Sequence, residues 1–364
     1  MATISPDIIP EILCRLGVKD LLRFRCVSKP WCSLIDSPDF IKLHLSQSLN
    51  TSTHLSIVLR DCYLFSIYFD SLKADQMLNN PFSTEYIITE ILGSCNGLFA
   101  LFNCDEEIAL WNPSTRKFHM LPVTDIEFPR DFCIRQFIVY GFGHDPISDD
   151  YKLVRMVQFY GKEDDSFDSE VKVYSLRTNS WRRIKDFPFY LLYKRAYGVL
   201  ANNSLHWFVF KNPSDTHRFI AAFDLRTEEY RLVELPDYIG EGFYMCVNSI
   251  GDSLCLIVNY YEGSVVDIWM MKEYGVKESW IKMVSVNQFK PFDFVEPLAF
   301  SKNGDRALMC IDHKRFVWYD LRSKRVKTVR IEGVPSLFEA EVLVESLVPL
   351  NANGAMINKK EEGT

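Results

Sequence analysis

The chain has 364 residues, of which 48% are hydrophobic and 24% charged, with a formal net charge of −7. That balance is ordinary for a folded protein and argues against a dedicated nucleic-acid binder, whose affinity rests on a basic surface. No run of 18 uncharged apolar residues is present, so no membrane-spanning helix is expected.

Asp7, Glu11 and Arg15 are spaced through the N-terminal apolar residues, a pattern unlike a signal peptide. The ten cysteines show no paired spacing, and without an export signal reduced thiols are expected. The expected location is the cytoplasm and nucleus.

Residues 1–48 read as a small helical domain. Ser5-Pro6-Asp7 combines an N-cap serine, a proline at the first helical position and an acid near the positive end of the dipole. Ile8, Ile9, Ile12, Leu13 and Leu16 then form an apolar stripe at helical spacing, with Glu11 and Arg15 paired i, i+4 beside it. Pro10 removes a hydrogen-bond donor, so the regular helix is expected to begin there. Further short helices are expected over 19–27 and 31–36. Ser37-Pro38-Asp39 repeats the opening device and starts a fourth, through about residue 47.

Residues 49–350 change to alternating aromatic, β-branched and polar residues broken by turn clusters, a strand pattern. One phrase recurs with variation: LWNPSTRKFHML, VYSLRTNSWRRI, AFDLRTEEYRLV, DIWMMKEYGVKESWIKM and WYDLRSKRVKTV. Its first-strand aromatic falls at Trp111, Tyr174, Phe223, Trp269 and Tyr319, at intervals of 63, 49, 46 and 50 residues. A second phrase precedes it, as SCNGLFALF, SDDYKLVRM, NNSLHWFVF, GDSLCLIVN and GDRALMCID. The repeating unit is thus an antiparallel sheet of about four strands, the period of a kelch-like blade. Blades stacked around an axis bury both faces of each sheet. The expected class is α+β, mainly β: a helical domain followed by a β-propeller-like domain of about six blades, with an irregular open sandwich as the alternative. LSIVLRDCYLFSIYF at 55–69 is left over as an extra hairpin, and SLVPL at 346–350 is expected to join it and close the ring. Residues 351–364 are polar and expected to be disordered.

No phosphate-binding loop, nucleophile elbow or metalloprotease motif is present. Gly141-Phe142-Gly143 reads as a hairpin turn. Asp145, Asp149 and Asp150 read as a solvated acidic turn, since a calcium loop needs an oxygen ligand where Ile147 stands. His206 is expected to be a packed sheet residue, and Cys95 and Cys255 small core residues. Cys26 and Cys32 have poor zinc spacing. No catalytic residue, metal or cofactor is expected.

RFRCVSKPWCSLI (23–35) mixes cations, cysteines and a tryptophan. With Leu16, Val18, Leu21, Leu22, Phe24, Val27, Trp31, Leu34 and Ile35, the helical domain holds more apolar side chains than roughly 45 residues enclose. The surplus faces either a separate partner or the β domain.

Pro6-Asp7-Ile8-Ile9, Glu11-Ile12-Leu13, Arg15-Leu16, Lys19-Asp20-Leu21, Arg23-Phe24-Arg25, Val27-Ser28-Lys29, Trp31 and Leu34-Ile35 together resemble an F-box over about residues 4–45. SCNGLFAL, WNPSTRK, YGFGHDPISDDYKLVR, VKVYSLRTNSWR, NNSLHW and AFDLRTEEY resemble, in order, the type 1 plant F-box-associated domain. The resemblance implies a non-catalytic substrate-recognition subunit of a Skp–cullin–F-box ubiquitin ligase. It implies contacts to a Skp-type adaptor, and through it a cullin-RING ligase, at Pro6, Ile8, Ile12, Leu13, Leu16, Leu21, Val27, Trp31 and Leu34. It also implies a protein substrate on the β domain, with intracellular immune receptors and plant defence as the expected setting. The insertions at 123–135, 160–170 and 185–196 are the expected substrate contacts. The chain departs from the pattern at Ser5, where Leu is usual, at Gly17, where Pro is usual, and at Pro10. A propeller enzyme or ligand-binding module with a structural helical arm, and a non-degradative scaffold, are the alternatives.

Overall fold

The computed structural model of the chain describes residues 8–69, 71–82, 89–127, 133–161, 166–191, 197–237, 243–260, 265–286 and 294–350. Ser5, Pro6, Asp7 and the tail from Asn351 lie outside the described residues.

Four helices come first: α1 (Ile8–Leu13), α2 (Val18–Phe24), α3 (Lys29–Ile35) and α4 (Pro38–Thr51). Pro10 lies inside α1, not at its start. Its carbonyl accepts from the Cys14 N–H at 2.9 Å, so the helix continues through it. Ser28 caps α3 through the Trp31 N–H at 3.4 Å, and Ser37 caps α4 through the Phe40 N–H at 3.3 Å. The helices close on Leu13, Cys14, Val18, Leu21, Ile35 and Phe40, together with Leu347 from the far end of the chain. α4 runs past residue 48, where the sequence pattern divides the two domains, and stops at Ser52, whose φ of 48° turns the chain into the first strand.

The rest is six antiparallel sheets, each of four strands except one of five. The innermost strands are Thr89–Cys95, Cys133–Asp145, Val199–Ala201, Phe243–Ile250, Val295–Phe300 and Glu339–Val344. Six apolar clusters lie one between each pair of successive blades, the last joining the sixth blade to the first. Trp111, Tyr174, Phe223, Trp269 and Tyr319 each fill one of them, so the recurrent aromatic is the wedge between a blade and its predecessor. The polar residue after that aromatic closes the outer hairpin. Asn112, Asp224 and Asp320 each accept two backbone N–H groups of the turn that follows.

Three sequence expectations need correction. The ring is closed by Glu339–Val344, which pairs with Leu55–Arg60, and not by residues 346–350. Those residues instead form a strap between helices and propeller, held by the Asn112 side-chain amide, which donates to the carbonyls of Ser346 (3.1 Å) and Val348 (2.9 Å). Gly141 and Gly143 are not in a turn. They lie within the strand Cys133–Asp145, where the neighbouring blade comes so close that a Cβ on Gly141 would stand 2.7 Å from Leu205 and one on Gly143 2.5 Å from Leu225. The acidic turn is only partly solvated. Asp145 and Asp150 are buried; Asp145 accepts from the Ser148 hydroxyl at 2.6 Å and Asp150 from the Ser175 hydroxyl at 2.5 Å.

His206 is a packed sheet residue, as expected. It is fully buried between the Val199 carbonyl (3.0 Å) and the Tyr274 hydroxyl (2.6 Å), and burial pushes its pKa down to about 4. Cys95 and Cys255 are core residues; burial pushes both thiols up to about 12.

Candidate adaptor face and central channel

The helical domain leaves Ile8, Ile12 and Val27 exposed at 48%, 50% and 64%. Leu16, Leu22, Phe24, Trp31 and Leu34 are half-buried against the helical core, with Phe24 and Trp31 meeting edge to face at 5.6 Å. Leu13 and Leu21 lie in the interior, 2% and 0% exposed. They belong to the core of the helical domain and leave no surface for a partner to touch. Pro6 lies outside the described residues. Arg25 pairs with Asp36 at 2.6 Å and Arg23 with the exposed Asp20 at 3.1 Å, so these cations serve the edges of short helices. Among the described residues no group of three His, Cys, Asp or Glu is placed to hold a metal.

The helices are joined to the propeller at several points. The Val18 N–H donates to Glu345 at 3.3 Å, His54 Nε2 lies 3.0 Å from the Arg15 carbonyl, and Lys42 on α4 pairs with Asp149 at 2.7 Å. Gly17 stands at this junction, where a Cβ would meet Glu345 and His54 at an ordinary 3.5 Å.

Strand polarity assigns the two ends of the ring. With every sheet antiparallel, the turns from first to second and from third to fourth strand share one end, and the remaining connections share the other. Asp149 lies in a first-to-second turn, so the helices sit at that end. The insertions at 123–135, 160–170 and 185–196 are all connections of the opposite end, with residues 128–132, 162–165 and 192–196 outside the described residues. Around 123–127, Arg155 donates to the Thr124 and Asp125 carbonyls at 2.8 and 2.7 Å and to Glu170 at 2.8 Å, pinning that connection to its blade.

A channel of about 1330 Å³ runs between the inner strands. Ser48, Leu49, Asn50 and Ser52, around the C-terminus of α4, line it at the helical end. Toward the other end Glu296, Glu339 and Glu341 line it, each at or near the start of an inner strand, and Glu90 holds the same position on the neighbouring inner strand. Glu339 accepts from Arg60 Nε at 2.9 Å, and a second guanidinium nitrogen pairs with it. Glu90 accepts from the Tyr197 hydroxyl at 2.5 Å, Glu341 from the Ser94 hydroxyl at 3.3 Å, and Glu296 from the Asn248 amide at 3.5 Å. Burial, reinforced by the neighbouring carboxylates, pushes Glu296 up to about 8 and Glu341 up to about 7. The sequence pattern alone did not single out these residues. Their signal is an acid set into an otherwise apolar strand, as in VEPLAF and EAEVLV.

This fold is shared with known proteins. The F-box domain family matches residues 3–43, and the family described as F-box associated beta propeller domain matches residues 51–350. The chain therefore belongs to the F-box proteins that carry an F-box-associated β-propeller. It is similar to the F-box protein CPR1 of Arabidopsis thaliana, 42% identical over 99% of this chain and 92% of that protein. It is also similar to the F-box protein At4g22390 of the same plant (35% identical, over 96% of this chain and 90% of that one). The F-box/kelch-repeat protein At3g23880 is a further Arabidopsis relative (30%, over 81% and 82%).

Proposed function

We propose that the chain is the substrate-recognition subunit of a Skp–cullin–F-box ubiquitin ligase, working in the cytoplasm and nucleus. The observation that carries this reading is that the helical domain leaves Ile8, Ile12 and Val27 in solvent and Leu16, Phe24, Trp31 and Leu34 only half-buried on its core. A Skp-type adaptor would cover it, bringing a cullin-RING ligase with it. The propeller then holds a protein substrate at the end opposite the helices, and ubiquitin transfer follows from proximity: a substrate lysine is kept at high effective concentration near the charged conjugating enzyme. The chain itself makes and breaks no bond. The likeness to CPR1 supports a place in plant defence, with intracellular immune receptors as the substrates.

The test is co-purification with a Skp-type adaptor, wild type against Leu16→Ala/Trp31→Ala. Binding is expected in wild type and lost in the double variant; no binding by wild type overturns the ligase reading. Deleting residues 1–45 is expected to make the substrate accumulate in cells. No accumulation of any protein favours a non-degradative scaffold.

A further inference from the structure

The sixth blade reverses the charge of the rest of the chain. Residues 302–330 hold nine Lys and Arg against three Asp, a net of +6 in a chain whose net charge is −7. The blade consists of Val295–Phe300, Arg306–Ile311, Arg315–Asp320 and Val326–Val329. Its first-to-second and third-to-fourth turns both lie at the helical end of the ring. The Leu321 N–H donates to the Asp305 carbonyl at 2.9 Å and ties these two turns together. Lys302, Arg306, Arg322, Lys324 and Arg325 are thereby gathered at one corner of the blade, all of them exposed.

The acids of this corner are committed to its turns. Asp305 accepts from the Ser301 hydroxyl at 2.6 Å, and Asp320 accepts from the Ser323 hydroxyl at 2.8 Å besides its two turn N–H groups. Arg306 stands 3.7 Å from Asp305 and lies over the Trp318 ring at 5.2 Å. Lys302, Arg322, Lys324 and Arg325 have no ion pair among the described residues.

Cations also guard an outer strand against pairing with other edges, and the outer strands of other blades carry them. There the fold neutralises them: Arg182 pairs with Glu228, Arg183 with Glu127 at 2.7 Å, and Lys282 with Asp267 at 2.6 Å. Arg322, Lys324 and Arg325 precede the outer strand of the sixth blade, so guarding its edge does not require them. That strand, Val326–Val329, pairs with Arg315–Asp320 alone, and its free side offers backbone groups to an extended chain.

We propose that this corner and the adjoining strand edge dock an acidic, extended segment of a partner protein. The five cations take its carboxylates, and the free side of Val326–Val329 takes its backbone. Like charges gathered on one corner raise a local positive potential, which selects an acidic guest over a neutral or basic one. A nucleic acid is the poorer match, since its backbone follows a track of cations and the rest of this chain is net negative. The guest approaches from the side of the helices and leaves the insertion end of the ring free. The assignment goes beyond the adaptor reading and does not depend on it.

The test titrates the full chain into fluorescein-labelled peptides of equal length that alternate Gly with Glu, Gln or Lys, read by anisotropy at low ionic strength. The Glu peptide is expected to bind about tenfold more tightly than the Gln peptide, and the Lys peptide least. Sodium chloride should weaken the Glu peptide through screening, and N-methylation of its alternate backbone amides should weaken it further. Arg322→Glu/Lys324→Glu/Arg325→Glu should abolish the preference. Lys117→Glu/Arg177→Glu/Arg226→Glu makes the same change in net charge on the outer hairpins of the second, third and fourth blades, and should keep most of it. Arg322→Gln/Lys324→Gln/Arg325→Gln removes the charge without reversing it, and should show the loss even where the reversed variant fails to fold. Equal binding of the Glu and Gln peptides, no binding of either, equal loss in the two Glu variants, or full binding of the N-methylated peptide overturns the proposal. So does tighter binding of an oligothymidylate of matched charge or of phosphatidylserine vesicles, which assigns the corner to another class of partner.

Discussion

Asn112 Nδ2 donates to the carbonyl of Val348 at 2.9 Å, joining the second blade to the segment that returns from the end of the ring. The same amide serves Ser346, while Oδ1 accepts the Ser114 and Thr115 N–H groups, so one buried side chain closes a local turn and a long-range strap together. Asn112→Ala would leave two carbonyls in the interior without a donor, an expected loss of about 3 kcal/mol and several degrees of melting temperature. Asn112→Asp keeps the turn but sets a carboxylate oxygen against two carbonyls, and should melt no higher than the Ala variant. Thermal denaturation of the three proteins is the check.

Neighbouring residues on α1 should separate stability from recognition. Ile12 is 50% exposed and Leu13 2% exposed. Ile12→Asp is expected to change stability by less than about 0.5 kcal/mol and to abolish adaptor pull-down. Leu13→Ala is expected to lower stability by about 2–5 kcal/mol through the cavity it opens. A Leu13→Ala protein that melts like wild type would show that the helical core is not where the structure puts it.

Gly198 is set by a ring. A Cβ there would lie 2.4 Å from Cζ2 of Trp207, and the indole is walled in by Gly141 on the adjacent inner strand. Gly198→Ala should destabilise by about 1–3 kcal/mol. Trp207→Phe removes the clashing atoms, so the alanine should be less damaging in that background, a coupling read from a double-mutant cycle.

Glu296 predicts a pH dependence of stability. Its carboxyl is raised from its ordinary 4.5 to about 8 in the fold. Between those values the folded chain binds a proton that the unfolded chain has released, so this group's contribution is fully present at low pH and is lost as pH rises to about 8. Glu296→Gln removes the loss. Melting curves should coincide below about pH 4.5 and diverge in favour of the variant up to about pH 8. A variant that gains nothing at high pH would contradict the burial of this carboxyl.

Much of the ring was legible because its signal is local. The Asn/Asp-closed hairpins and the wedge aromatics repeat at blade period, and each takes the role its spacing implies. Misreadings came where one residue type serves two purposes. Gly141 and Gly143 look like a turn, yet the glycines are there because a neighbouring blade touches the strand. SLVPL looks like the closing strand, yet the inner place is taken by the more polar EAEVLV, whose two glutamates face the channel. On the helices, spacing defines an apolar stripe, but adjacent residues about 100° apart on α1 diverge into core and solvent, so Ile12 and Leu13 part company.

By itself the sequence determined the four helices, the blade repeat and the family to which both belong, since caps, turns and periodicity act over a few residues. Only the tertiary structure decided which strand closes the ring, which apolar residues of the helices stay in solvent, and that Glu296, Glu339 and Glu341 line one channel. Those outcomes depend on residues hundreds of positions apart, brought together only when the last blade packs against the first.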